Sequence, residues 1–198
     1  MGTDVAYRSK DASFMRQLKK AAYRGTDDQE EKQMTWEYIS RRVIIDDLHK
    51  YAIEKLDTDQ AIQMGHGDLH AELLVLTMKP IAFSKEAKEL AETIIKAGKF
   101  EHVYYSARYK TPTVYKDDIP TFDEIMESEI KILKPKAIIC FGDVLSLGQH
   151  EVVEHLGIPV MQTHLLSHVL KPADGVDVKE LKNEIWNNVK QIRKYYKK

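Results

Sequence analysis

Several residue types able to do chemistry stand at the ends of apolar runs. His164 closes the segment Ile158-Pro-Val-Met-Gln-Thr-His, Lys79-Pro80 follows Leu73-Leu-Val-Leu-Thr77 with Phe83 close behind, and Ser106 lies at the end of His102-Val-Tyr-Tyr-Ser-Ala107. Open α/β sheets place their sites beyond the carboxyl ends of their strands. A histidine, a lysine, a serine and a ring delivered there are therefore candidates for one site. The loop from Arg108 to Pro120 adds Arg108, Lys110 and Lys116 interleaved with Tyr109 and Tyr115. Cations mixed with rings in a loop beside strand ends can hold a phosphate backbone and stack on bases. They also populate ordinary surface loops.

The elements that position these residues are organised around Leu133-Lys-Pro-Lys-Ala-Ile-Ile-Cys-Phe-Gly142. The apolar run Ala137 to Phe141, opened by Pro135 and closed by Gly142, reads as a strand buried on both faces, the middle of a parallel sheet. Before it, Phe122, Ile125, Met126, Ile130 and Leu133 form the stripe of a helix over 121–133 packed on that sheet. Leu73–Thr77 and His102–Ala107 predict two more strands. Between them Ser84 caps a helix running to about Ala97, stopped by Gly98. Beyond the central strand, 143–150 and 151–156 read as two short helical pieces. Ile158 to Met161 makes the fourth strand, and 178–196 a last helix with Leu181, Ile185, Val189 and Ile192 inward. The expected fold class is α/β, a three-layer α/β/α sandwich on a parallel four-stranded sheet. It spans residues 71–198, and a helical extension fills 1–60. In that extension a first helix covers 12–24, and a second begins at Thr26-Asp27-Asp28 with a break expected near Met34-Thr35.

Composition restricts the partners. The 198-residue chain is 43% hydrophobic and 31% charged, with a net charge of −1, so bulk charge alone would not coat nucleic acid. The tail 178–198 is basic, with Lys190 and Arg193 as candidate phosphate contacts or simply cations near a helix C-terminus. No apolar run reaches the ~20 residues of a membrane span, and the N-terminus lacks a signal-peptide core, so a cytoplasmic protein is expected. The single cysteine, Cys140, reads as a core residue, which leaves no disulfide framework and no cysteine set for zinc or an iron-sulfur cluster. His66 and His70 have the i, i+4 spacing of paired metal ligands, but Gly65 and Gly67 oppose a helix there. No metal or other cofactor is expected.

The order of these elements, with the Lys-Pro-Lys strand ending in Gly142 and the turn Thr163-His164, resembles the uracil-DNA glycosylase superfamily, especially its iron-sulfur branch. The likeness covers residues 71–196. It implies base excision in DNA repair: a flipped nucleotide whose N-glycosidic bond is hydrolysed. His164 matches the histidine that faces the base oxygen. Lys79 stands where a water-positioning carboxylate is expected, and Ser106 where an amide reads the base edge. A hydroxyl is too short, with too few donors, to make the bidentate uracil contact. Phe83 occupies the place of the stacking ring, or else staples a helix entry into the core. Pro80, Ser167 and His168 complete the implied base-binding set, and Arg108, Lys110, Lys190 and Arg193 the DNA contacts. Leu165-Leu166 replace the Pro-Ser that normally follows the histidine, and the cluster cysteines are absent. The resemblance therefore implies either a divergent DNA glycosylase, a hydrolase acting on uracil or a modified base, or a catalytically inactive relative. The latter would bind DNA as a replication or repair accessory and offer its N-terminal helices to a protein partner. A small nucleotide-handling α/β enzyme is the remaining reading. If the glycosylase reading holds, Thr77 to Phe83, Ser106 and His164 should line one cleft.

Overall fold

The computed structural model describes residues 29–196. The expected helix over 12–24 and the cap at Thr26-Asp27-Asp28 lie outside the described residues. The chain divides into two compact units, Met1–Arg42 and Val43–Lys198. Their boundary falls inside helix α1 (Gln29–Leu56), which runs unbroken through Met34-Thr35. Residues 43–56 thus belong to the larger unit rather than to an extension reaching residue 60. Ala52 and Leu56 bury themselves against Phe122 and Ile125.

The larger unit continues with β1 (His66–Gly67), β2 (Leu73–Thr77), a 3-10 turn (Ile81–Phe83), α2 (Lys85–Ala97), β3 (Val103–Ala107) and a second 3-10 turn (Lys116–Asp118). Then follow α3 (Ile119–Leu133), β4 (Ala137–Phe141), β5 (Val152–His155), β6 (Ile158–Thr163), α4 (Leu166–Leu170) and α5 (Val178–Tyr196). Local chemistry sets several of these bounds. The Ser84 hydroxyl accepts from the Ala87 amide at the start of α2, satisfying one of the helix's free donors. Pro120 sits in the first turn of α3, where its missing N–H costs nothing.

The sheet order is β1-β3-β2-β4-β6-β5. The four central strands are parallel, and β1 and β5 run antiparallel to their neighbours. The sheet is therefore six-stranded and mixed, not four-stranded and parallel. β1 is too short to show an alternating pattern. β5 lies where a helical piece was expected, and it pairs with β6 through the tight turn Leu156-Gly157, with φ of +53° and +76°. Positive φ at both central positions is the type I′ hairpin geometry, but leucine rarely occupies its first position, so the turn carried no signal. The other expected helical piece, 143–150, is irregular backbone.

Period-two alternation divides the core. Leu73, Val75, Ala137, Ile139 and Met161 face Ala91 and Ile95 of α2 and Ile185, Val189 and Ile192 of α5. Leu74, Leu76, Ile138, Cys140 and Val160 face Met126, Ile130 and Leu133 of α3 and Ile45 of α1. Every residue of β2 and β4 is buried, as a strand covered on both faces must be. Burial in this core pushes the Cys140 thiol far above its ordinary range, so it stays a neutral packing group. Among the described residues no helix is long and apolar enough to cross a membrane.

Candidate functional site

The strand order reverses between β2 and β4, since β3 lies on one side of β2 while β4 and β6 lie on the other. Such a switch point is where open α/β sheets hold ligands. Here it is filled. Gly142, at the end of β4 with φ +107°, is so closely approached that a Cβ there would meet Leu165 Cδ2 at 2.5 Å, with Met78 Cγ at 3.8 Å. Leu166 is buried in the core beyond it. Of the Leu-Leu pair after His164, Leu165 thus packs on the end of β4 and Leu166 joins the core.

To one side of this plug, Ser106, Lys110 and Glu129 form a closed network. Lys110 is fully buried and its ammonium donates to Ser106 Oγ at 2.7 Å, Ala107 O at 2.7 Å and Glu129 Oε2. Ser106 Oγ donates to Glu129 Oε2 at 2.6 Å, and the Gly65 amide reaches Glu129 Oε1 at 3.2 Å. All three ammonium protons are used, so the expected phosphate contact from Lys110 is replaced by an internal ion pair. Ser106 is likewise engaged inward. The neighbouring hollow is lined by Met64, His66, Pro80, Ile81, Tyr105 and Ser106, but its ≈ 10 Å³ is about the room of one water. Part of the Thr77–Phe83 segment and Ser106 thus share a hollow, of which His164 is not a wall.

The loops above this edge are tied together. Thr77 Oγ1 donates to Lys79 O at 2.6 Å, and Lys79 Nζ to Pro112 O at 2.5 Å. Arg108 is spent on a fork with Asp123, at 2.6 and 2.9 Å, and on Val144 O at 3.3 Å. Its hydrogen bonds to Asp123 hold the guanidinium above its usual range. Phe83 and Tyr115 stay out, 42% and 58% exposed. Phe83 is therefore not a staple into the core, and Ile81, two residues before it, is the buried member of that turn.

At the other end of the carboxyl edge, His164 follows β6 and turns toward α5, where its Nε2 meets Glu184 Oε2. The His150 and His164 ring centroids are 4.5 Å apart. Asn188, one helical turn after Glu184, places its side-chain amide 2.9 Å from both His150 Nδ1 and Thr163 Oγ1. His150 itself is carried by irregular backbone that a buried glutamine holds. Gln162 accepts from the Leu145 amide at 2.9 Å and donates to Leu147 O at 2.7 Å and Asp143 Oδ1 at 3.1 Å, while the His150 amide bonds to Gln162 O at 3.0 Å. His150, His164 and Glu184 are the described residues whose donor atoms converge as a metal-ligating set.

The remaining candidates are scattered. Ser167 and His168 are exposed on α4. Lys190 lies over the Trp186 ring, 5.4 Å from its centroid, and the Nε of Arg193 is buried without a hydrogen-bond partner. His66 stacks on Tyr105, with centroids 5.5 Å apart. Burial at that stack pushes the Tyr105 hydroxyl up to about 12 and His66 below its ordinary range. Glu129, Glu184, His150 and Asn188 were missed in the sequence. Glu129 did leave a trace, being a charge set within the buried stripe Ile125, Met126, Ile130, Leu133. The chain matches no protein-family model and no curated protein.

Proposed function

We propose that this chain has a uracil-DNA glycosylase-like fold without base-excision chemistry, and acts as a nucleic-acid-binding accessory protein. What supports the fold relation is the run of four parallel strands, with the Thr77–Phe83 turn, Ser106 and His164 all at their carboxyl ends. The observation that carries the functional reading is the plug at the switch point. Leu165 crowds Gly142 with Met78 in contact beside it, and the hollow next to Ser106 admits a water rather than a nucleobase. Excision needs a donor, a water-placing group and a base reader converging on one extruded base. Here the imidazole faces Glu184, the hydroxyl faces Lys110 and Glu129, and Lys79 is bound to the neighbouring loop.

Binding without chemistry has a surface to use. Exposed Phe83 and Tyr115 are carried by the two loops that Lys79 ties together, with Lys116 beside Tyr115. Rings that stack on bases and cations that follow the backbone bind single strands with little sequence preference. The test is a paired assay on single-stranded and duplex oligonucleotides with and without uracil. Expected are no base release and salt-dependent binding that weakens about tenfold or more in Phe83→Ala/Tyr115→Ala. Release abolished by His164→Ala would restore the glycosylase, and absence of binding to every oligonucleotide would overturn the accessory reading.

A further inference from the structure

We propose that His150, His164 and Glu184 form a binding site for one divalent first-row transition metal ion, of the zinc class. This goes beyond the accessory reading and stands without it. The three side chains come from separate stretches: the irregular segment before β5, the residue after β6, and the middle of α5. Their donor atoms nevertheless lie within 4.8 Å of one another. Ligands at 2.0–2.2 Å around a tetrahedral ion stand about 3.3–3.6 Å apart, so side-chain rotation must draw the set together by about 1 Å. His150 is exposed and has room to make it.

The donor chemistry selects the ion. Two imidazole nitrogens and one carboxylate suit zinc, iron, cobalt or nickel, whereas magnesium and calcium take sets built from oxygen alone. Neutral imidazoles with one carboxylate leave a net positive charge on a bound dication. Three protein ligands also leave a coordination position open for water or an anion.

The surroundings resemble those of ligands rather than of a chance surface cluster. The side chain of Asn188, buried beneath the pair, holds the ring nitrogen of His150 and the hydroxyl of Thr163. A half-turn of that amide lets its oxygen accept from Nδ1–H of His150, which leaves Nε2 with a free lone pair. Metal-binding histidines are commonly fixed in this way by a partner on the second nitrogen. Glu184 and Asn188, four residues apart on α5, share a helix face, so one face of one helix supplies a ligand and the group that orients another.

Calorimetric titration of the chelator-treated 198-residue chain with Zn²⁺, and of a parallel sample with Co²⁺ followed by visible absorption, tests the proposal. Expected are one equivalent bound, visible ligand-field bands with cobalt, and an upward shift in Tm with saturating zinc. His150→Ala and Glu184→Gln should each weaken binding at least tenfold while leaving the circular dichroism of the metal-free protein unchanged. His168→Ala, which removes an exposed imidazole on α4, should leave affinity unaltered. No saturable binding by the native chain, or equal affinities in the His150→Ala and His168→Ala proteins, would overturn the site.

Discussion

Two clusters of polar side chains occupy opposite ends of the same sheet edge, and they differ in what water can reach. Beside β3, Lys110 and Glu129 are entirely enclosed, and every ammonium proton is matched. Beyond β6, Glu184 is half exposed, His164 is less so, and His150 reaches solvent. A carboxylate faces a nitrogen base in both. Enclosure turns the first into a structural pin, because charges buried in a low dielectric are costly to separate and cannot be recruited by a ligand. Access leaves the second able to exchange partners. Similar groups at the ends of parallel strands therefore do not imply a similar role, and burial decides which can act on something outside the chain.

The largest effect should come from breaking the enclosed pair. Glu129→Gln leaves the Lys110 ammonium uncompensated, and Lys110→Met does the same to the carboxylate. Either should cost about 3–5 kcal/mol in urea unfolding. The double replacement Lys110→Met/Glu129→Leu should recover much of that loss. If the single substitutions are nearly neutral, the enclosure is not what holds this end of the sheet.

A smaller effect is expected at the plug between the two clusters. Gly142→Ala combines a positive φ with a close approach to Leu165, and should destabilise by about 1–3 kcal/mol. Adding Leu165→Ala removes the crowding but not the backbone strain, so only part of the loss should return. Full recovery would mean that packing alone requires the glycine.

The smallest concerns an ion pair that is open to water, His102 with Asp68 at 2.7 Å. The hydrogen bond from Asp68 raises the His102 imidazole above its ordinary range. Burial raises Asp68, but hydrogen bonds from His102 and the His70 amide outweigh it, and the carboxyl ends below its ordinary range. The depressed carboxyl stabilises above its unfolded value of 3.8 and loses that contribution as pH falls. The raised imidazole stabilises below 6.5 and loses its contribution as pH rises through the folded value. The stability difference between the native chain and Asp68→Asn should thus peak near pH 5–6 and stay below about 1 kcal/mol, because the histidine is half exposed. A difference that stays level up to pH 9 would place its origin in the backbone turn at His70 rather than in the pair.

The sequence displayed the parts of the fold that depend on periodicity. Strands at 73–77 and 137–141 and helices at 85–97 and 178–196 agree with their patterns because burial on both faces, a serine cap and an apolar stripe each leave a local mark. The edge strands left none. One is two residues long, and the other turns through Leu156-Gly157, a pair that does not advertise a hairpin. The site was less legible still. His164 lies at a strand end as expected, but its partners come from residues 150 and 184, and no spacing along the chain announces a meeting of that kind. Lys110 looked like a loop cation because its counter-ion is a glutamate on another element. Only Glu129, set among apolar neighbours, hinted that a positive charge had to come inside.

Gln162 has a consequence for whatever meets the imidazole pair. A side chain from within the sheet clasps the irregular backbone after β4, so the segment that bears His150 is tied to β6 although it has no regular structure. Shifting it would break the hydrogen bonds that the buried Gln162 makes to it. The backbone beneath both rings is consequently set in advance, so an ion taken up at the proposed site would call only for side-chain rotation, with little main-chain ordering entropy left to lose.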